Sequence, residues 1–280
     1  MTEPRVCLIT GANAGIGRIT ALELARDGLR VFLACRSAER TQPVVDAIRA
    51  ETGNPHVEFL PLELGDFASV RACAEEFLGR GLPLHLLINN AGLVNRRGLT
   101  ASGFEMAFGV NHMGHFLLTE LLRPRLVESA PTRVVIVASR AHRRVAGIEF
   151  SRVRQPASSP FGFREYATSK LANVLHGAEL AKRLQGTGVH VYSLHPGVVA
   201  SELWRSLPWP LSRVLPRLPY MISVEEGAQT TLHCARSAEV ADHSGLYYSD
   251  RRVTSPSAAG QDAALAQALW ERSQAWIEGA

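Results

Sequence analysis

Cysteine is scarce in this sequence: four among 280 residues, Cys7, Cys35, Cys73 and Cys234, with no C-x-x-C pair. That spacing excludes a disulfide framework and a thiolate zinc site. Cys7 and Cys35 fall inside apolar runs and read as small core residues in a reducing compartment. Long hydrophobic runs are missing too, since none approaches the 18 residues that signal a membrane-spanning helix. The first strand pattern starts by about residue 5, which leaves no room for a signal peptide or an N-terminal membrane anchor, so a cytoplasmic protein is expected. Nor is there an excess of one charge, with 30 Lys and Arg against 26 Asp and Glu and a formal net charge of +4. The densest basic spot, residues 140–144 (RAHRR), is short and reads as a solvated loop. A nucleic-acid face would need a broader stripe with interleaved aromatics, so none is expected. His112, His115, His142 and His195 have no metal-ligand spacing and predict no metal site.

What the chain does have is core-forming material: 46% apolar residues against 20% charged, an ordinary globular balance. Short apolar, β-branched runs alternate with longer amphipathic ones. Strands are expected over residues 5–10, 30–35, 57–62, 84–88, 133–138, 189–194 and around 246–248. Helices are expected over 16–27, up to about 52, 67–78, about 101–129, 165–185, 224–236 and 262–277. Strands this apolar must be covered on both faces. The pattern therefore predicts an α/β fold: one doubly wound parallel sheet of about seven strands with helices on both sides, a single Rossmann-fold domain over residues 1–280. Two irregular stretches, residues 140–164 and 199–223, follow strand C-termini, the sheet edge where ligands bind.

The first strand meets the first helix in a glycine-rich turn, Gly11-Ala12-Asn13-Ala14-Gly15-Ile16-Gly17. Glycines at this spacing let the backbone turn sharply and approach a pyrophosphate, whose charge then faces free N–H groups at a helix N-terminus. The second strand ends at Cys35-Arg36, where an NAD site would place a carboxylate for the ribose 2′-hydroxyl. A guanidinium there, with Arg18 and Arg40 near it, suits a 2′-phosphate instead, so NADP(H) is the expected cofactor. The alternative is a surface arginine that happens to follow a strand.

Later motifs fall in a recognisable order: Asn89-Asn90-Ala91-Gly92, Asn111, Ser139, Tyr166-Ala167-Thr168-Ser169-Lys170 and His195-Pro196-Gly197. With the glycine turn they resemble the short-chain dehydrogenase/reductase family over nearly the whole chain. Ala34-Cys35-Arg36, residues 110–116 (VNHMGHF) and 169–173 (SKLAN) resemble its retinol dehydrogenase-like branch. The surroundings of Leu203, Gly227-Ala228-Gln229-Thr230 and Trp270 are most similar to the dehydrogenase/reductase member 13-like subgroup. Tyr166 and Lys170 are four apart and share a helix face, so an ammonium beside the phenol is expected to lower its usual value near 10. The resemblance implies Tyr166 as general acid or base, with Ser139 on the substrate oxygen. Lys170 would hold the nicotinamide ribose, and Asn111 a water in a relay to Lys170. It further implies cofactor contacts from Glu63 and Leu64 at the adenine, from Asn90, Ala91 and Gly92 in the cleft, and from Val198. Glu63 stands where the family usually has Asp, and Ala138 where many relatives have a second serine.

Apolar residues in the stretch 199–223, among them Leu203, Trp204, Leu207, Trp209 and Tyr220, suggest a lid or pocket for a hydrophobic carbonyl or alcohol substrate. The activity expected is hydride transfer between nicotinamide and a CH–OH or C=O carbon. The alternative is a non-catalytic NADP(H)-binding redox sensor. Self-assembly into a homo-oligomer stays open.

Overall fold

The computed structural model describes residues 4–199 and 221–279. Its strands form one sheet in the order β3-β2-β1-β4-β5-β6-β7-β8. They are β1 (Val6–Thr10), β2 (Arg30–Cys35), β3 (Val57–Pro61), β4 (Leu86–Asn89), β5 (Thr132–Val137), β6 (Val189–His195), β7 (Leu246–Ser249) and β8 (Arg252–Val253). The first seven pair in parallel, and β8 returns antiparallel along β7. The expected doubly wound sheet is present, with one edge strand more than the sequence indicates. β8 is two exposed residues entered through Asp250 and Arg251, both at positive φ. That hairpin turn carries none of the glycine or asparagine that usually marks one.

Successive residues of a strand point to opposite faces, and the buried side chains accordingly fall into two large clusters. Leu8, Phe32, Leu87 and Val134 pack with residues of α3 (Phe67–Gly79), α5 (Gly114–Glu128), α6 (Phe163–Arg183) and α8 (Ala263–Glu278). Cys7, Ile9, Leu33, Ile88 and Val135 pack with α1 (Gly15–Arg26), α2 (Ala38–Thr52) and α7 (Val224–Arg236) on the other face. None of these helices is long and apolar enough to cross a membrane.

The helix expected over about residues 101–129 is broken. A Leu99–Glu105 bridge closes a turn, and the Glu105 carboxylate accepts the Phe108 N–H at 2.8 Å. A one-turn α4 (Met106–Phe108) then leads through a π-helical turn (Gly109–Met113) into α5. A Cβ on Gly114 would lie 2.2 Å from the Leu64 carbonyl oxygen, so α5 can lie this close to the chain after β3 only with glycine there. The stretch 140–164 is not structureless, since it holds 3₁₀ turns at Arg140–Arg144 and Pro160–Gly162. Of the stretch 199–223, Val199 bridges Ile222. The Ile222 N–H donates to the Val198 carbonyl at 3.0 Å. Leu203, Trp204, Leu207, Trp209 and Tyr220, expected to line a substrate lid, lie outside the described residues.

α8 packs across α6 over the buried His112 and His176, and His115 of α5 is buried as well. Trp270 stands 5.0 Å from the Phe116 ring and 5.8 Å from that of His176. His112 stands edge-on to His176 at 5.7 Å. Burial lowers all three, His115 to about 4, His176 to about 3 and His112 well below the ordinary value. In the unfolded chain histidine titrates near 6.5, so below that pH the unfolded state takes up protons the folded state refuses. Stability is therefore complete above about pH 6.5 and falls as the pH drops, by roughly 2 kcal/mol per histidine at pH 5. Urea unfolding should show the midpoint dropping steeply from pH 7 to 5, with His176→Phe flattening the profile. An unchanged midpoint across that range would contradict this assignment.

Candidate active site

Thr10 ends β1 and its hydroxyl joins three segments. It accepts the N–H groups of Asn90 and Ala91, both at 3.0 Å, and lies 2.8 Å from His115 Nε2. His115 Nδ1 is 3.0 Å from the Asn111 carbonyl oxygen. Neutral His115 thus donates from Nδ1 to that carbonyl and accepts the Thr10 proton at Nε2. The Asn90 amide donates back to the carbonyls of Thr10 and Gly11 at 2.8 and 3.2 Å. The chain after β4 is thereby clasped onto the glycine turn. A Cβ on Gly17 would be 2.5 Å from both Asn90 Nδ2 and the Gly11 oxygen, and one on Gly11 would be 2.8 Å from Ala91 Cβ. These glycines are needed for the close approach of one turn to the other, as well as for the bend itself.

Gly11, Asn13, Ala14, Gly15, Ile16 and Gly17 line a cleft of about 380 Å³ with Asn90, Ala91, Gly92, Tyr166 and Lys170. Ala12 departs from the expectation: it is fully buried and packs in the core beneath the turn. Ala14, the residue before α1, makes no side-chain cap to the helix and the first turn carries no acid. The N–H groups and positive end of the helix dipole are the features that bind a phosphate.

Asn111 lies fully buried in the π-helical turn behind the cleft. Its Oδ1 accepts the Leu93 N–H at 2.8 Å, and its amide donates to the Leu93 carbonyl at 3.0 Å and to Ser169 Oγ at 2.9 Å. Both amide protons are engaged, so the side chain works as a bolt between the β4 turn and α6. Lys170 Nζ donates to the Val137 carbonyl at 2.9 Å. It lies 5.8 Å from the Tyr166 ring centre. Burial lowers Lys170 to about 8.

For Tyr166 the expected lowering is not found. Burial raises the phenol above its ordinary value, and a hydrogen bond with Ser139 only partly offsets this. The reason is geometric: the ammonium is turned to Val137 at the end of β5 and is itself weakened by burial. Ser139 Oγ also accepts the Ala141 N–H at 3.2 Å, capping the following 3₁₀ turn.

At the far end, Arg36, Arg40, Glu63 and Leu64 line a second cavity of about 480 Å³ that shares Gly11, Asn13, Ala91 and Gly92 with the first. Arg18 does not line it. Arg36 is not free, since its guanidinium lies 3.3 Å from Glu63, whose other oxygen accepts the Gly65 N–H at 3.0 Å. Arg36 is 71% exposed, so this pair contributes at most about 1 kcal/mol. Beyond Tyr166, a third cavity of about 450 Å³ is lined by Ser139, Arg140, Phe163, His195 and Val198. Val198 lines this third cavity, which shares Ile16, Val94, Ala138, Tyr166 and Pro196 with the first. The first two cavities form one trough from Arg36 to Tyr166 with a phosphate-binding turn midway, which fits a dinucleotide. Among the described residues no group of three His, Cys, Asp or Glu side chains could hold a metal.

The sequence motifs contain Thr10, His115 and Ser169 but gave none of them a role of its own, and Leu93 carried no sequence signal. His195 lines the third cavity and accepts Arg140 Nε–H at 2.9 Å.

The fold and this trough define a nucleotide-binding α/β oxidoreductase. Residues 5–209 match the short chain dehydrogenase family, and the chain belongs to it. Human retinol dehydrogenase 12 is 48% identical over 272 residues, covering 96% of this chain and 85% of that protein. Dehydrogenase/reductase SDR family member 13 from Bos taurus is 46% identical over 274 residues, covering 96% and 72%. A crystal structure of an uncharacterized protein from Mycobacterium paratuberculosis is 31% identical, with a TM-score of 0.77 over 98% of this chain and 93% of that one. The resemblance to the retinol dehydrogenase-like branch is thus borne out, and both named groups match to a similar degree.

Replacing Thr10 with valine keeps its shape and removes the hydroxyl. The Ala91 N–H and His115 lose their partner, at about 1–3 kcal/mol for each buried group left unpaired, while the Asn90 N–H keeps the Ile88 carbonyl at 3.0 Å. We expect Thr10→Val to lose roughly 2–4 kcal/mol of stability in urea unfolding. A loss below about 0.5 kcal/mol would mean that the clasp is not structural.

Proposed function

We propose that the chain is an NADP(H)-dependent dehydrogenase/reductase acting on a hydrophobic carbonyl or alcohol, with Tyr166 as the proton-transferring group. The observation that carries this is the meeting of Tyr166, Ser139 and Lys170 where the dinucleotide-sized trough opens into the third cavity. NADP(H), when bound, supplies or takes up the hydride. Ser139 orients the substrate oxygen as charge develops on it. The Tyr166 phenol gives its proton to that oxygen in reduction and takes it back in oxidation. Lys170 holds the ribose side of the trough, and Asn111 fixes the β4 turn against α6 beneath them. Retinol dehydrogenases among the relatives support an apolar alcohol or aldehyde as substrate. A cytoplasmic location belongs to the same proposal, supported by four free, buried cysteines.

The first test is a panel of aldehydes and ketones with NADPH, for wild type and Tyr166→Phe. The variant keeps the ring and loses the proton, so turnover should fall by about 10²- to 10⁴-fold, with NADPH still bound. Near wild-type turnover in the variant would remove Tyr166 from the mechanism. A wild type inert to the whole panel would favour a cofactor-binding sensor.

The second concerns cofactor choice. Hydrogen bonds to charged groups contribute about 1.5–3 kcal/mol, more than the exposed Arg36–Glu63 pair, so a 2′-phosphate can draw Arg36 off its partner. Arg36→Asp should weaken NADPH by at least about tenfold relative to NADH, in fluorescence titrations at one salt concentration. Arg40 lines the same cavity and softens the loss. If wild type already prefers NADH, or the ratio stays fixed, Arg36 does not set the choice.

A further inference from the structure

The third cavity, beyond Tyr166, carries charge of one sign. Two guanidiniums, those of Arg140 and Arg144, line it with Ser139 and Tyr166, and no carboxylate among the described residues does. Most of the remaining wall is apolar, with Ile16, Val94 and Phe163 in it. His195 lines it too, and its burial and the neighbouring Arg140 lower it to about 4, so the ring is neutral. A neutral carbonyl compound needs the apolar wall, Ser139 and Tyr166, and has no use for a cation there.

Arg140 is held in place. It opens the 3₁₀ turn that Ser139 caps, so it directly follows the residue that orients the substrate oxygen. Its Nε–H donates at 2.9 Å to Nε2 of the buried His195, the last residue of β6. That uses one of the five N–H donors of a guanidinium. The four on the terminal nitrogens have no hydrogen-bond or ion-pair partner among the described residues. Fixed at Nε, the group keeps a planar edge of donors, the geometry that receives a carboxylate in two parallel bonds. Asp250 lines a surface hollow with Arg140, but Arg251 and Arg252 line that hollow as well. The Asp250 carboxylate accepts only the Ser249 hydroxyl among the described residues, at 3.3 Å. Arg144 has no partner among the described residues either. It stands where the third cavity borders another, lined by Glu149 and Glu165, so its charge is shared. Arg140 is the cation posted at the reacting end.

Resting on the hydride-transfer reading of this site, we propose that the substrate is an oxo acid or hydroxy acid, an apolar carbonyl or alcohol that carries a carboxylate, and that Arg140 selects it. The carboxylate meets the terminal nitrogens of Arg140, the apolar body lies along Ile16, Val94 and Phe163, and the reacting oxygen faces Ser139 and Tyr166. Arg140 is exposed, so the carboxylate keeps water on its outer side and escapes the desolvation cost of a buried ion pair. A neutral aldehyde of the same length has the apolar contacts alone.

Turnover with NADPH of 6-oxohexanoate, 9-oxononanoate and 12-oxododecanoate, each against the unbranched aldehyde of equal length, tests this on the full chain. In the wild type kcat/KM should favour the acid by roughly threefold to tenfold at the best-fitting length, the effect of one charge contact at an exposed mouth. Arg140→Gln should abolish that preference and Arg140→Glu should reverse it, with circular dichroism checking that both variants fold. Added salt should narrow the wild-type preference. Aldehydes turned over with no preference for the acid at any length would overturn the substrate class and leave the hydride-transfer reading standing. A preference untouched by Arg140→Gln would remove Arg140 from it. Turnover of none of the compounds would count against the hydride-transfer reading, and calorimetric titration with nonanoate then decides on Arg140 alone. Binding weakened about threefold to tenfold by Arg140→Gln supports the cation site; equal affinity in both proteins, or no binding at millimolar concentration, overturns it.

Discussion

One hydroxyl, that of Thr10, holds the parts of the cleft in register. β1 and β4 are neighbours in the sheet although 76 positions separate Thr10, the last residue of β1, from Leu86, the first of β4, and their C-terminal turns must meet to make a floor for a dinucleotide. Backbone pairing ends at Ile9 and Ile88. Beyond that point the N–H groups of Asn90 and Ala91 have no ladder to join, and Thr10 receives both. Buried donors left unpaired are expensive, so the turn after β4 is drawn to this place and the glycines follow from the contact. Gly11 and Gly17 must lack a Cβ because Asn90 and Ala91 press against them.

The same contact is passed on to the reacting end. Thr10 reaches His115, His115 reaches the Asn111 carbonyl, and the Asn111 amide reaches Leu93 and Ser169. Ser169 lies next to Lys170 on α6. The phosphate-binding turn and the Tyr166 helix are therefore joined by an unbroken hydrogen-bond chain of fully or largely buried groups. Such networks are stiff when every member is satisfied. His115 can serve in this chain only as a neutral ring, with one nitrogen donating and the other accepting, and its burial keeps it so.

Much of this was legible in the residues, for different reasons. The seven parallel strands follow from apolar runs that only a doubly covered sheet can hide. The glycine turn, Tyr166 and Lys170 follow from motifs whose spacing is fixed by a strand–helix junction and one helical turn. What could not be read depends on contacts distant in sequence. The break before α5 comes from the Leu99–Glu105 bridge and the closeness of Leu64 to Gly114, which no periodicity encodes. β8 depends on a two-residue turn at positive φ without glycine. Asn111 entered only through the resemblance, and its clasp to Leu93 and Ser169, 18 and 58 residues away, is a contact no local pattern encodes. Ala12 sits within the motif but faces inward, because alternate residues of a tight turn cannot all face one cleft.

The clearest departure from expectation, the raised phenol of Tyr166, bears on the direction of the proposed chemistry. Four-residue spacing places Lys170 on the same face, but a shared face does not guarantee electrostatic coupling. Lys170 donates to the Val137 carbonyl, and burial lowers it to about 8. Tyr166 meanwhile is half-buried where the two cavities meet, with Ser139 as its polar neighbour. Desolvation disfavours the charged form of both groups, since each would carry its charge in a low-dielectric site. Without an anion to balance, the protein holds the phenol protonated. A protonated phenol is the form that can donate to an oxygen gaining negative charge, which is what a carbonyl does when reduced. Oxidation of an alcohol requires the phenolate, whose formation here must be helped by positive charge brought close to it. The cleft alone is thus set for the acid role, and the base role depends on what fills the trough.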